Sequence, residues 1–382
     1  MQVYSEHFAQ GDGVWLNTAH QGRLPNRSAD AARQAITWKQ DPIKLTSERF
    51  AGVPNRLRQA ISRLLNAPPE EIVLANSASY GLHLIANAFP WTEGDEIVVM
   101  KTDFPSDILP WLNLEKRYGV RVRQVTPQGR VLSPDELREA ITPRTKLFCT
   151  TWVHSFSGFG IDLDALGEAC RSAGVIFVVN GSQAIGARPI NVSNHPIDAL
   201  TTVGFKWLCG PYGTGFCWLS QTLRDRLERT KAYWLSELTA DDLAGDLGDL
   251  NVGPIQRASD LDVFGTANFF NFTAFTESIE LLLEIGLERV ETHNQELIEA
   301  TLDGVQGAGL QAVSPVEASP ARSSLALFAT EDEKRMELLR SRLAEARVHV
   351  AMRAGAMRIS PHFYNSQSDI ERVASLIRNA MV

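Results

Sequence analysis

The chain has 382 residues, 44% of them hydrophobic, and a formal net charge of −8 at pH 7. That length and apolar content suit two domains with a sizeable core, and the acidic balance argues against a general affinity for nucleic acid. MQVYSEHFAQ lacks a basic stretch followed by an apolar run, and no stretch reaches the roughly 18 apolar residues of a membrane helix, so neither secretion nor membrane insertion is expected and a cytoplasmic location follows by default.

Between residues 27 and 230, strand-like runs alternate with amphipathic stretches. Strands are expected at Ile72 to Ala75, Glu96 to Met100, Val120 to Val125, Leu147 to Thr150 and Val175 to Val179. Ser133 with Glu136 three residues on is a capping-box signature for one of the intervening helices. This alternation implies an α/β fold with a mainly parallel sheet between helices. From Ser236 to Asp262 the chain turns acidic and loop-like, with Leu238, Leu243 and Leu250 too sparse for a firm element. A long helix is expected through 267–285, leading to a smaller α+β domain holding LALFA, VHVAM and MRIS as strands. The four cysteines, Cys149, Cys170, Cys209 and Cys217, form no CxxC pair, and the eight histidines have no HExxH-like spacing, so neither a disulfide framework nor a metal site is indicated.

Lys206, in TTVGFKWLCGPYGTGF, stands between two aromatics and precedes a glycine-rich turn. Desolvation lowers a lysine's pKa toward the neutral amine that attacks carbonyls, which suggests a Schiff-base lysine. Taken alone, such a lysine more often snorkels to the surface. The upstream segment VIFVVNGSQAIG changes that reading: it is a buried-strand pattern ending in Asn180, Gly181, Ser182 and Gln183, and polar residues at the carboxyl end of a parallel strand face the ligand crevice.

Together these segments resemble the class V aminotransferase family of fold-type-I pyridoxal-phosphate enzymes, which includes cysteine desulfurases, selenocysteine lyase and isopenicillin N epimerase. The resemblance runs along most of the chain. VWLNTAHQGRLP looks like the family's opening segment and nominates Asn17 and His20 for substrate binding. IVLANSASYGLHLIANAF looks like the strand, phosphate cup and first core helix, so Ala78 and Ser79 would cradle the cofactor phosphate at a helix N-terminus. In EIVVMKTDFPSDILPW, Phe104 takes the place of the ring that stacks on the pyridine, and in TTWVHSFSGFGIDL Ser155 matches the residue near the phenolic oxygen. Gln183 resembles the residue that hydrogen-bonds that oxygen, while Ser182 and Thr202 are nominated for the phosphate. FGTANFFNF resembles the loop reaching the partner subunit's phosphate, which nominates Thr266 and implies a homodimer with shared active sites. MRISPHFYNSQSDIERV nominates Arg358 for the substrate carboxylate. The resemblance divides the chain into an N-terminal segment, 1–25, near the active site, a large cofactor-binding domain, 26–260, and a linking helix with a small domain, 261–382.

Three features depart from the family pattern. Asn180 stands where an aspartate usually keeps the pyridine nitrogen protonated; a nearby carboxylate raises a cation's pKa by about 1–3 units, and a neutral amide cannot match that, so the ring should be a weaker electron sink. Val203 and Phe205 replace side chains that bind phosphate, so more falls to Ser79, Thr202, Ser182 and Thr266. Finally, residues 310–357 contain no cysteine, which argues against a persulfide-forming desulfurase. The expected activity is chemistry on an α-amino acid at the α- or β-carbon, either C–S β-elimination or epimerisation; a class V aminotransferase proper and a non-catalytic cofactor-binding protein are the alternatives.

Overall fold

The computed structural model describes residues 4–238, 240–245, 247–265 and 267–381. After a short strand near the start, β1 (Val14–Trp15), the chain builds a central sheet from β2 (Ile72–Ala75), β3 (Glu96–Met100), β4 (Arg121–Val125), β5 (Thr145–Thr151), β6 (Ile176–Asn180), β7 (Ala199–Val203) and β8 (Gly215–Leu219). Its spatial order is β2-β8-β7-β6-β5-β3-β4, and β8 alone runs against the others. Strands buried on both faces need apolar side chains at every position, and in β3 Ile97, Val98, Val99 and Met100 are all inaccessible.

Two cores cover the two faces. Phe148, Phe177, Val179 and Phe216 pack with Leu57 and Ile61 of the Ser47–Leu65 helix on one side; Ile97, Leu147, Ile176 and Val178 pack with Trp111, Leu82 and Ile85 on the other. The period of two along β6 therefore sends the side chain of its last residue, Asn180, toward the Trp111 face.

The helix expected over 267–285 spans Phe269–Ile285, and the Asn26–Gln40 helix is fastened to it by Arg27, which pairs with both Glu277 and Glu284. The capping box forms as read: Ser133 accepts from the Glu136 N–H, and Glu136 accepts from the Ser133 N–H. Of the two further strands of the central sheet, β8 holds Cys217, whose run reads as strand-like and apolar, and β7 is not expected from the sequence. Half-polar ALTTV carries little periodic signal and owes its state to pairing with β6 and β8.

A second, antiparallel sheet has the order β12-β13-β10-β9, from β9 (Gln311–Ala312), β10 (Ala326–Ala329), β12 (Ala351–Arg353) and β13 (Ala356–Ile359). It packs through Phe328, Met357 and Ile359 on Leu297, Leu339 and Ile377 of the Leu287–Val305, Glu333–Glu345 and Gln367–Met381 helices. The remaining short strand, β11 (Val348–His349), pairs in parallel with β1, and Asn17 bridges Ser360, so the opening segment lies against this second sheet on its way to the central one. No described helix is long and apolar enough to cross a membrane.

Candidate active site

At the carboxyl ends of the parallel strands lies a cavity of about 340 Å³, and Lys206 is in its wall. Burial, followed by the neighbouring Arg358 guanidinium, pulls the Lys206 ammonium down to about 8, against the opposing pull of Asp107. The amine nitrogen sits 5.5 Å from the centroid of the Phe104 ring, which also lines the cavity and is 39% exposed. Lys206 is held by a close approach of the opening segment: Gly22 donates to the Phe205 carbonyl at 2.8 Å, and a Cβ on Gly22 would fall 2.0 Å from the Lys206 oxygen. Only glycine fits there.

One wall is the N-terminus of the Ala78–Ala88 helix. Ser77 caps it, accepting from the Tyr80 N–H at 3.2 Å, and Thr201 donates to the Ala78 carbonyl at 2.8 Å from the adjoining strand. Ser77, Ala78 and Ser79 line the cavity, so the positive end of the helix dipole and its free amides face it. Ser182 also lines the cavity and presents a buried hydroxyl with no protein partner. Thr202 is not in this wall: strand alternation turns it to the face opposite Thr201 and Val203, and its hydroxyl donates to the Val203 carbonyl at 3.4 Å. Val203 and Phe205 do line the cavity and bring no donor to it.

Gln183 is fully engaged by protein. Its Nε2 donates to the Ala19 carbonyl at 3.0 Å and to Ser155 Oγ at 3.4 Å, while its Oε1 accepts from Trp207 Nε1 at 3.0 Å. Ser155, by accepting from Gln183, keeps its own hydroxyl proton for the cavity. Asn180 is clamped at both ends: Oδ1 accepts the Ser182 N–H at 3.0 Å and Nδ2 donates to Asp107 Oδ1 at 2.7 Å.

The second sheet supplies two arginines. Arg358 on β13 is buried, donates to the Ser155 carbonyl at 3.2 Å and has an Nε without a partner; burial and then Arg353 pull it down to about 10. Arg353 was not anticipated. The signal was available: the two-residue turn Ala354–Gly355, with φ of +48° and +78°, sets the register Arg353↔Ala356 and Ala351↔Arg358, which puts both arginines on one face. His20 joins them in the wall, and burial with Arg353, Arg358 and Lys206 lowers its imidazole pKa and favours the neutral form. Asn17 is buried beside Ser360 and does not line the cavity, though its Oδ1 has no partner. Thr266 lies outside the described residues. All four cysteines are buried away from the cavity wall, and burial pushes every thiol up, away from its reactive form.

Residues 42–373 match the family model for aminotransferase class-V. The chain belongs to that family. Isopenicillin N epimerase from Amycolatopsis lactamdurans is 25% identical over 378 residues, spanning 95% of this chain and 94% of that one. A probable cysteine desulfurase from Methanothermobacter thermautotrophicus is 28% identical over 254 residues, which is 65% of this chain and 61% of that protein. Among solved structures, the cystine C–S lyase C-DES in complex with cysteine persulfide superimposes with a TM-score of 0.86 at 19% identity, over 97% of this chain and 98% of that one. A mutant of C-DES with glycine linked covalently to its pyridoxal-phosphate cofactor gives 0.88 at 18% identity, over 97% of both chains. The class-V family consists of pyridoxal-phosphate enzymes, and the wall described above fits that group: a helix N-terminus and free serine hydroxyl for a phosphate, a desolvated amine for an aldehyde, and an aromatic ring beside it.

Proposed function

We propose that this chain is a pyridoxal-phosphate enzyme that acts on an α-amino acid at its α- or β-carbon, by C–S β-elimination or epimerisation. The observation that carries the reading is the pairing in one cavity of an amine lowered to about 8, Lys206, with a buried arginine that has unused donor capacity, Arg358. Bound here, the cofactor would supply an electron sink that weakens the bonds at the substrate's α-carbon.

Lys206 would hold the cofactor covalently, Ser79, Ser182 and the helix amides at Ala78 would take its phosphate, Phe104 would cover its ring, and Ser155 and Asn180 would address its polar edge atoms. Arg358 takes the substrate carboxylate as a planar fork whose position is fixed by the tether to Ser155. Once free, the Lys206 amine is neutral often enough near pH 8 to accept the α-proton and basic enough to return it. His20, kept neutral by the surrounding cations, adds no further positive charge at the mouth.

Two observations favour these activities over a persulfide-forming desulfurase. No cysteine lies in the cavity wall, and residues 310–357, which include Arg353 and run up to Arg358, lack cysteine altogether. The epimerase relative also aligns across nearly the full length of both chains.

The enzyme works as a homodimer in this reading. A groove of about 560 Å³ is lined by Phe50, Pro54, Trp234, Leu235 and Leu243 and by Tyr233, whose ring centroid lies 5.1 Å from that of exposed Phe264, and a second copy would cover such a surface. The test is a product assay by mass spectrometry with cysteine conjugates and common amino acids in deuterated water. Pyruvate with released thiol, or deuterium at a scrambled α-carbon, supports the reading; no product and no exchange with any substrate refutes it. A monomer at micromolar concentration that still holds cofactor stoichiometrically refutes the dimer.

A further inference from the structure

Asp107 is completely buried at the end of the short turn Pro105–Asp107, directly behind Asn180. Its Oδ1 accepts the Asn180 Nδ2–H at 2.7 Å, and its Oδ2 has no partner at all. Buried polar atoms are nearly always satisfied, so a carboxyl left with one donor and one orphaned oxygen next to a cleft marks a functional position.

Its neighbour Asp103 shows the contrast. That carboxylate accepts from Thr150 Oγ1 and the Thr151 N–H, both at 2.9 Å, and from the Phe104 N–H at 2.7 Å. Its charge is locally met, whereas that of Asp107 is not. The other titratable groups facing Asp107 are Cys149 on β5 and Lys206 beyond β7. Burial and then Asp103 push the Asp107 carboxyl well above the usual range, while the Asn180 hydrogen bond and Lys206 pull it back. The Asn180 hydrogen bond, and then a positive charge in the cavity, are thus what favour its ionised form.

Asn180 cannot turn to suit a ligand. Its Oδ1 is held by the Ser182 N–H at 3.0 Å, and its Nδ2 by Asp107, with Ser106 Oγ 3.5 Å away. The amide lines the cavity and Asp107 stands behind it, in a medium that screens charge weakly. A charge behind a hydrogen-bonded amide polarises it, and the effect reaches whatever the amide touches.

We propose that Asp107 is a positioning residue that supplies the site's negative charge: acting through Asn180, its carboxylate raises the proton affinity of the cofactor's ring nitrogen. The inference rests on the pyridoxal-phosphate reading above. It revises the expectation of a weak electron sink drawn from Asn180 alone, because the carboxylate absent from the strand end stands one side chain further back.

The test uses holoenzyme loaded with pyridoxal phosphate labelled with ¹⁵N in the ring. The ring ¹⁵N chemical shift is followed across pH for wild type, Asp107→Asn, and the exchange variant that combines Asn180→Asp with Asp107→Asn. Asp107→Asn should lower the proton affinity of the ring nitrogen by about tenfold, and the exchange variant should restore it to the wild-type value or above. A purely structural Asp107 would change thermal stability or cofactor affinity and leave the ring titration in place. An unchanged titration in folded, loaded Asp107→Asn therefore overturns the proposal. Should that variant not fold, Asp107→Ser, which leaves room for a water, carries the same expectation. A wild type that takes up no cofactor overturns the underlying reading and this proposal with it, a result distinct from an unmoved titration.

Discussion

His362 Nε2 donates a 2.8 Å hydrogen bond to the carbonyl of Trp207, the residue that follows Lys206. The other imidazole nitrogen faces Asn294 at 3.1 Å, so a neutral ring inside the protein ties the chain after β13 and the Leu287–Val305 helix to the segment that carries Lys206. Trp207 in turn donates to Gln183, which reaches Ala19 and Ser155. One hydrogen-bonded chain therefore runs from the second sheet's far end to the cavity wall.

Burial lowers the His362 imidazole to about 3, while an unfolded histidine titrates near 6.5. Between those values the unfolded state binds a proton that the folded state does not, so stability rises with pH across that window and is lost on acidification from 6.5 downward, by about 1.4 kcal/mol per pH unit. Denaturant unfolding at pH 7 and pH 5 should show a steeper loss for wild type than for His362→Gln. The variant itself should be less stable at pH 7 by about 1 kcal/mol, because a flexible amide replaces the rigid ring held between the Trp207 carbonyl and Asn294.

Lys206 should react as an amine whose neutral form appears at about 8. The neutral amine is the nucleophile, so the rate of pyridoxal-phosphate uptake by apoprotein should rise with pH through about 8 and then level off. At pH 7 the neutral fraction exceeds that of an ordinary lysine by about 300-fold. A rate still climbing steeply above pH 9.5 would show that burial has not lowered this amine.

The two arginines should separate by substrate. Arg358 has a fixed, buried fork, and Arg358→Ala should cost about 10²–10³ in kcat/KM for every α-amino acid, since a buried charge-assisted pair contributes roughly 2–4 kcal/mol. Arg353, part exposed on the same sheet face, should matter only for substrates with a second anionic group. Arg353→Ala should raise KM for such substrates about tenfold and leave the others within twofold. Equal losses for both substrate classes would remove Arg353 from substrate recognition.

Much of this was legible in the sequence, for identifiable reasons. β2 and β3 were read to their last residues because fully buried strands are unbroken apolar runs, and the Ser133 capping box is local chemistry that needs no tertiary context. β7 is not legible because half-polar ALTTV takes its strand state from pairing with β6 and β8. Lys206 stands out because an ionisable residue between two large aromatics is rare, and Arg358 because its segment resembles the family's C-terminal strand. Thr202 is nominated to make up for the phosphate-binding side chains absent at Val203 and Phe205, and period-two alternation turns it to the other face. Asp107 was invisible for a different reason: nothing local in TDFPSD says that a carboxyl will sit behind the end of a strand more than seventy residues later. Arg353 was legible in principle from its hairpin register and was passed over.

Whether Lys206 is the residue that holds the cofactor is read from borohydride reduction of the purified protein followed by tryptic mass mapping. The wild type should absorb at roughly 330–430 nm and yield the pyridoxyl group on the peptide containing Lys206, and Lys206→Ala should yield none. A pyridoxyl group on another lysine, such as Lys101, or on no lysine at all, would contradict that role for Lys206.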